Sequence, residues 1–135
     1  GSHTDVNSST EGYVSYIWSE VEGYSKFDSY EGTGSASNSP FIYTGFKPAL
    51  VMCKSVGVEN WIVVDEQRPG YNPTGNYLYW NLSNTEGGTG ATDEYINLLS
   101  NGFKLRTTGA SANSSGVIYL YAAWASHPFK YNNAR

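Results

Sequence analysis

Side chains able to act as acids, bases or nucleophiles are few and scattered along the chain. Asp65-Glu66 and Asp93-Glu94 are the only adjacent carboxylate pairs. Neighbouring residues of a strand point to opposite faces, so neither pair provides the facing acid and base that glycoside hydrolysis requires. The single cysteine, Cys53, follows the apolar run Ala49–Met52 and is expected to be a small core residue rather than a nucleophile. We therefore predict no catalytic residues and no enzymatic activity.

Metal, cofactor and nucleic-acid binding have equally little support. Apart from the terminal Gly1–His3, the one histidine is His127, interpreted as a surface or subunit contact, and one histidine with one cysteine cannot build a zinc site. The Gly87–Asp93 stretch offers oxygen ligands for Ca²⁺ but lacks alternating aspartates. A net charge of −4 with only eight Lys and Arg gives no basic footprint for nucleic acid. No apolar run approaches the roughly 18 residues that span a bilayer, so membrane insertion is not predicted.

Aromatic and amide side chains give the clearest candidate for a binding site. Residues 68–81 read Arg-Pro-Gly-Tyr-Asn-Pro-Thr-Gly-Asn-Tyr-Leu-Tyr-Trp-Asn, a loop and strand with rings that can stack on a sugar and amides that can bond its hydroxyls. Alternation separates the tyrosines of the strand from Leu78 and Trp80, and we expect the Leu78 and Trp80 face to be core. The alternative is that the tyrosines pack between subunits. The predicted ligand-binding residues are Tyr71, Asn72, Asn76, Tyr77 and Tyr79.

Short apolar runs bounded by Gly, Ser, Asn or Pro recur along the chain and indicate strands. Phe103–Arg106 alternates apolar residues with cations, whereas Ala49–Cys53 does not alternate and is typical of a strand covered on both faces. Residues 92–99 fit one short helical turn or a strand. Trp18, Trp61 and Trp124 are expected in the core. Nine runs predict an all-β fold, an antiparallel β-sandwich of jelly-roll or concanavalin-like type with little or no helix. They are 13–18, 25–30, 40–43, 49–55, 60–65, 77–81, 95–99, 102–107 and 117–124.

The two ends of the chain are similar to each other, which indicates a tandem repeat. The repeat assigns residues 4–23 to the closing strand of a preceding repeat unit or to an N-terminal extension, and residues 24–135 to one β-sandwich unit. Residues 1–3 are separately interpreted as a cloning scar. At an offset of 106 positions, Asn7, Ser8, Ser9, Tyr13 and Trp18 match Asn113, Ser114, Ser115, Tyr119 and Trp124.

Several blocks, kept in order over nearly the whole chain, resemble a repeated β-rich domain of tail-fibre and other virion proteins of tailed phages. The main blocks are Val-Glu-Gly-Tyr-Ser-Lys-Phe at 21–27, Phe-Ile-Tyr-Thr-Gly-Phe-Lys-Pro-Ala at 41–49 and Leu-Ser-Asn-Gly-Phe-Lys-Leu-Arg at 99–106. The resemblance implies a virion location, in a tail fibre or other surface appendage, and host recognition. It supplies no catalytic or binding residues.

These observations favour a non-catalytic domain that recognises a host cell-surface glycan or protein. A homo-oligomer is expected, with a trimer favoured by the way fibres are built. The first alternative is a structural spacer or decoration module of a virion fibre or capsid. The second is a fragment of a polysaccharide depolymerase.

Overall fold

Eight antiparallel strands form two sheets in the computed structural model, which describes residues 5, 7–68, 72, 74–87 and 95–127. The five-stranded sheet has the order β1-β8-β3-β4-β5, and the three-stranded sheet has the order β2-β7-β6. The described residues contain no helix, and none of them forms a helical segment able to cross a membrane. The predicted all-β, sandwich-like fold is confirmed. The strands are β1 (Ser25–Glu31), β2 (Phe41–Tyr43), β3 (Pro48–Ser55), β4 (Ile62–Asp65), β5 (Leu78–Tyr79), β6 (Ile96–Leu99), β7 (Gly102–Leu105) and β8 (Ile118–Ala125).

The core lies between the two sheets and is built from alternate residues of each strand. Val51 and Ile62 of the larger sheet and Phe103 and Leu105 of the smaller one are fully buried in one cluster. Burying each such side chain contributes about 1.5–3 kcal/mol relative to exposure. Lys104, between the two buried residues of β7, remains partly exposed, which confirms the alternation predicted there.

β3 occupies the interior of the larger sheet, between β8 and β4. Val51 and Cys53 are fully buried on its core side, and Met52, on the opposite side, is also buried. The prediction of a strand covered on both faces is therefore confirmed. It follows that something other than the second sheet covers the outer face at Met52.

Gly102 opens β7 where β2 approaches most closely. A Cβ atom at this position would collide with the carbonyl oxygen of Ile42, and it would lie 2.9 Å from the ring of Phe41. Only glycine permits this approach of two backbones, so the residue fixes the pairing of β2 with β7.

Eight of the nine predicted strands match observed ones to within a few residues, and residues 96–99 form β6. The strand predicted over 13–18 is wrong, because residues 11–20 form no strand. Residues 13–18 align with β8, and in this domain β8 itself holds the place between β1 and β3. A second strand of the same kind has no place in the same sheet.

Candidate functional site

Two tyrosines of the predicted binding loop, Tyr77 and Tyr79, belong to the core or pack against it. Tyr77 is only 8% exposed, and its ring centroid lies 4.3 Å from that of Tyr95 and 5.2 Å from that of Tyr79. Because Tyr79 pairs with the buried Ile62 across β4 and β5, its side chain points inward. The hydrogen bond with Tyr77 and partial burial raise the pKa of Tyr79 to about 12. The prediction that the Leu78 and Trp80 face is core is therefore wrong, and Trp80 is 60% exposed.

Asn72 stabilises the backbone rather than presenting its amide to a ligand. Its Nδ2 donates to the carbonyl oxygen of Leu98, and its Oδ1 accepts from the N–H of the same residue at 2.8 Å. The side chain thus imitates a neighbouring strand beside β6. Asn76 is partly buried, and Tyr71 lies outside the described residues. The five predicted residues do not form one exposed surface, since Tyr77 and Tyr79 face the core and Asn72 is bonded to backbone.

The carboxylates of Asp65 and Glu66 are bound to different cations at the end of β4. Arg68 Nε donates to Asp65 Oδ2 at 2.7 Å, and Lys47 Nζ lies 3.0 Å from Glu66 Oε2. Partial burial acts to raise the pKa of Glu66, but the hydrogen bond from Ser126 Oγ, at 2.6 Å, and the Lys47 ion pair outweigh it and lower that pKa. Asp65 is therefore bound within its own turn, whereas Glu66 joins the end of β4 to the segments that carry Lys47 and Ser126. Asp93 and Glu94 lie outside the described residues.

Cys53 and His127 are the remaining candidate groups within the described residues, and they lie in different environments. Cys53 is fully buried, and burial raises the pKa of its thiol to about 12, which suppresses the reactive thiolate. His127 is exposed. Within the described part of the chain, no three His, Cys, Asp or Glu side chains are grouped to hold a metal ion. The Gly87–Asp93 stretch, considered for Ca²⁺, falls outside that part from residue 88 onward.

An apolar row crosses the outer face of the five-stranded sheet. The strand registers place one residue of each strand side by side, in a line that includes the buried Met52. An outer face turned to water is normally polar, so a continuous apolar row marks a covered or ligand-binding surface. The row consists of Phe27, Ala122, Met52, Val63 and Leu78.

Tryptophan side chains stand over this row and form what we call the tryptophan groove. Trp18 and Trp61 are 50% and 38% exposed, so the expectation that they lie in the core is wrong. Trp124 is partly buried on the same outer face. The groove has a volume of about 450 Å³, and a neighbouring depression of about 460 Å³ extends from it toward Phe27 and Leu120. The residues that line the groove are Tyr16, Trp18, Met52, Trp61, Trp80 and Asn81.

Backbone and amide hydrogen bonds fix two of these tryptophans side by side. The N–H of Trp80 donates to the carbonyl oxygen of Trp61 at 3.1 Å. Asn81 Oδ1 accepts from the N–H of Trp61 at 3.0 Å, and Asn81 Nδ2 donates to Asn60 Oδ1 at 3.0 Å. The ladder of β4 and β5 thus continues one residue further, with one indole on each strand. The backbones of the two residues are thus preorganised at adjacent positions, and both side chains line the groove as one wall.

The third tryptophan reaches the groove from the N-terminal segment, residues 7–24, which precedes β1. The Trp18 ring stacks with Tyr16 at 6.1 Å and meets Trp124 edge-on at 6.0 Å, and Trp124 meets Phe27 in the same manner at 5.6 Å. Ser25 Oγ donates to the carbonyl oxygen of Ser19 at 3.0 Å and anchors the segment beside β1. Trp18 therefore supplies a part of the groove lining that is anchored independently of Trp61 and Trp80.

Alternation in β4 is the sequence signal that points to this site. Ile62 and Val64 share the core face, so Trp61 and Val63 share the other. Applied to β4 first, the rule places Trp61 outside, and pairing then places Trp80 outside as well.

A family model described as a domain of unknown function, DUF7483, matches residues 1–128. The chain belongs to this family. The DUF7483 match takes in both sheets, the N-terminal segment and every residue of the tryptophan groove. Comparison with curated proteins gave no match, and comparison with solved structures gave none either.

Proposed function

We propose that this domain is a non-catalytic recognition module that binds a host cell-surface glycan in the tryptophan groove, within a phage tail fibre or related virion appendage. The observation that carries the proposal is the pair of adjacent, partly exposed indoles of Trp61 and Trp80 above an apolar floor. The virion setting is supported by the ordered sequence blocks described above. The proposed partner is a glycan rather than a protein because the site is a groove of small-ligand size.

The groove combines the two kinds of contact that a sugar requires. Indole faces offer flat apolar surfaces for the C–H face of a pyranose ring, and tryptophan is enriched where binding energy is concentrated. An asparagine amide has two N–H donors and two acceptor lone pairs, of which Asn81 uses one each within the described residues. The second donor and acceptor of this exposed side chain are available for sugar hydroxyls.

Several copies on one virion would compensate for weak binding at each site. A groove open to solvent buries only part of a ligand, so the affinity of a single domain is expected to be low. Linking copies raises the overall avidity without any new contact. A homo-oligomer, with a trimer favoured, is the proposed arrangement.

The experiment is a glycan array followed by direct titration of the best glycan with Trp61→Ala, Trp80→Ala and the wild type. Each substitution is expected to weaken binding at least tenfold. Tyr43→Ala is the matched control, because it removes an exposed ring from the other sheet. If the two tryptophan variants melt and bind like the wild type, the proposal is wrong.

A structural role is the second candidate, and one observation favours it. β2 is an edge strand of the three-stranded sheet and exposes the rings of Phe41 and Tyr43. An exposed edge with aromatic side chains is suited to packing against another subunit. A spacer or decoration module predicts that Phe41→Ala and Tyr43→Ala change the sedimentation of the chain while no glycan binds.

A further inference from the structure

The N-terminal segment repeats a hydrogen bond found at the start of β8. The backbone N–H of Ser114 donates to the hydroxyl of Tyr119 at 2.9 Å, where it ties the preceding turn to the strand. The backbone N–H of Ser8 donates to the hydroxyl of Tyr13 at 2.7 Å. Both bonds span five residues, and the two pairs are separated by the same 106 positions. The similarity of the two ends thus extends from sequence to local conformation.

The side-chain pattern of the segment also matches that of β8. In β8, Tyr119, Tyr121 and Ala123 face the core while Leu120, Ala122 and Trp124 lie on the outer face. At the same offset the inward set is Tyr13, Ser15 and Ile17, and the outward set is Val14, Tyr16 and Trp18. Apart from Ser15, which corresponds to Tyr121, both faces carry apolar or aromatic residues, and such a strand belongs in the interior of a sheet that is covered on both sides.

The segment is without such a sheet in this domain. Val14 is 81% exposed and Ile17 is 90% exposed, and residues 11–20 pair with no strand among the described residues. Consecutive exposed apolar residues of this kind mark an interaction surface. The position that suits them, between β1 and β3, is occupied by β8.

We infer that residues 12–19 are a β8-type strand that completes a second sandwich unit of this architecture, between the strands equivalent to its β1 and β3. Both edges of this strand thus pair with strands of another unit of the same kind, and not with a peptide or a membrane. In that unit Tyr13 takes the place of Tyr119, which stacks on Tyr30 with ring centroids 5.2 Å apart. This inference is independent of the proposed function.

The contact of Trp18 with Trp124 gives the position of the junction. The two residues correspond in the repeat, and their rings meet at 6.0 Å. The end of the segment's strand therefore lies beside the end of β8. The second unit would adjoin the outer face of the larger sheet and border the tryptophan groove.

A tandem chain tests the inference directly. Residues 21–112 of a second copy are placed before Asn7 of the full chain, so that residues 7–18 follow residue 112 as residues 113–124 do naturally. Hydrogen exchange of the amides of residues 13–18 is then compared with that in the chain alone. We expect exchange to slow at least a hundredfold, toward the rates of residues 119–124 in β8.

The control tandem carries residues 21–126 before Asn7, so its leading unit contains its own β8. There the amides of residues 13–18 are expected to exchange as fast as in the chain alone. Tyr13→Ala in the first tandem is expected to abolish the protection of residues 13–18. The C-terminal unit, which contains its own β8, is expected to stay protected. The inference is overturned if residues 13–18 exchange equally fast in both tandems, or if the leading unit folds only in the control.

Discussion

Asn113 Oδ1 accepts a hydrogen bond from the backbone N–H of Thr33 at 2.8 Å, which ties the turn before β8 to the loop after β1. Asn113 Nδ2 donates to the carbonyl oxygens of Ser35, at 3.1 Å, and Thr107, at 2.7 Å. The side chain is fully buried, and both of its N–H groups have partners. One amide therefore joins the loop after β1 to the segment between β7 and β8.

Replacing this amide is expected to destabilise the domain strongly. Asn113→Ala leaves the backbone N–H of Thr33 and two carbonyl groups without these partners, so we expect the free energy of unfolding to fall by about 2–4 kcal/mol. Denaturant unfolding measures the change. Asn84→Ala is the control, because Asn84 is exposed and the change there is expected to stay below about 0.5 kcal/mol. Equal stability of the two variants would contradict the role of Asn113.

Two stacked tyrosines offer a comparison of hydroxyl groups within one cluster. The hydroxyl of Tyr119 donates to the carbonyl oxygen of Ala110 at 2.6 Å and accepts from Ser114, whereas that of Tyr30 donates to the carbonyl oxygen of Ala112 at 2.8 Å. We expect Tyr119→Phe to cost about 2 kcal/mol of unfolding free energy and Tyr30→Phe about 1 kcal/mol. Thermal melts of both variants test the order, and the reverse order would refute the assignment of the bonds.

The buried thiol provides a measure of opening of the fold. Burial raises the pKa of Cys53 to about 12, so the folded state disfavours the thiolate. The buried neutral thiol therefore leaves the stability of the fold intact below the unfolded pKa of 9.0. Stability is lost as the pH rises from 9.0 toward 12, because only the unfolded chain readily forms the thiolate. At pH 8 we expect a thiol reagent to label the folded protein at least a hundredfold more slowly than the unfolded protein. Val58→Cys in a Cys53→Ala background should react at once, since Val58 is fully exposed. Equally slow labelling of both cysteines would contradict this account.

Glu66 gives a prediction at acidic pH. Its pKa is lowered in the folded state, on balance, by Ser126 and Lys47, so its contribution to stability is present above the ordinary value of 4.5 and lost as the pH falls through the folded value. Glu66→Gln is expected to destabilise the domain by about 1 kcal/mol at pH 7, and this penalty is expected to shrink at pH 3 because the Glu66 carboxyl becomes protonated. Unfolding curves at both pH values measure the difference. Glu31→Gln, on an exposed position of β1, is the control. A penalty for Glu66→Gln that is the same at both pH values would refute the prediction.

Salt dependence separates stacking from charge as the basis of recognition. The groove lining includes no charged residue, so glycan binding is expected to change less than about twofold when salt is raised to about half-molar. Titration of the same glycan at low and high salt measures it. Loss of binding at moderate salt would mean that charged residues outside the groove carry recognition.

Most of the fold follows from patterns visible in the sequence. Alternation in Phe103–Arg106 correctly predicts a strand with one buried face, and the absence of alternation in Ala49–Cys53 correctly predicts a strand buried on both faces. Both predictions succeed because successive side chains of a strand point to opposite faces. The residues that end each run mark eight of the strands. The ninth, residues 13–18, has the pattern of a strand but forms no ladder with any strand that the structure describes. Sequence patterns report the capacity to pair rather than the presence of a neighbouring strand.

The candidate site was harder to predict because both faces of β5 and its neighbours carry apolar rings. Alternation separates Tyr77 and Tyr79 from Trp80 but does not say which set is buried. The pairing of Tyr79 with Ile62 decides it, and that register is a tertiary fact. Trp61 and Trp80 are also distant in the sequence, so only the pairing of their strands reveals a common wall.

The order of the strands has a consequence for how the chain folds. Within the described sheet, β1 pairs only with β8, although 86 residues separate Glu31 from Ile118. The ladder between β1 and β8 therefore forms only when the last strand is available, and contacts of such long range slow folding. During synthesis on a ribosome, the larger sheet cannot be completed until β8 has left the exit tunnel.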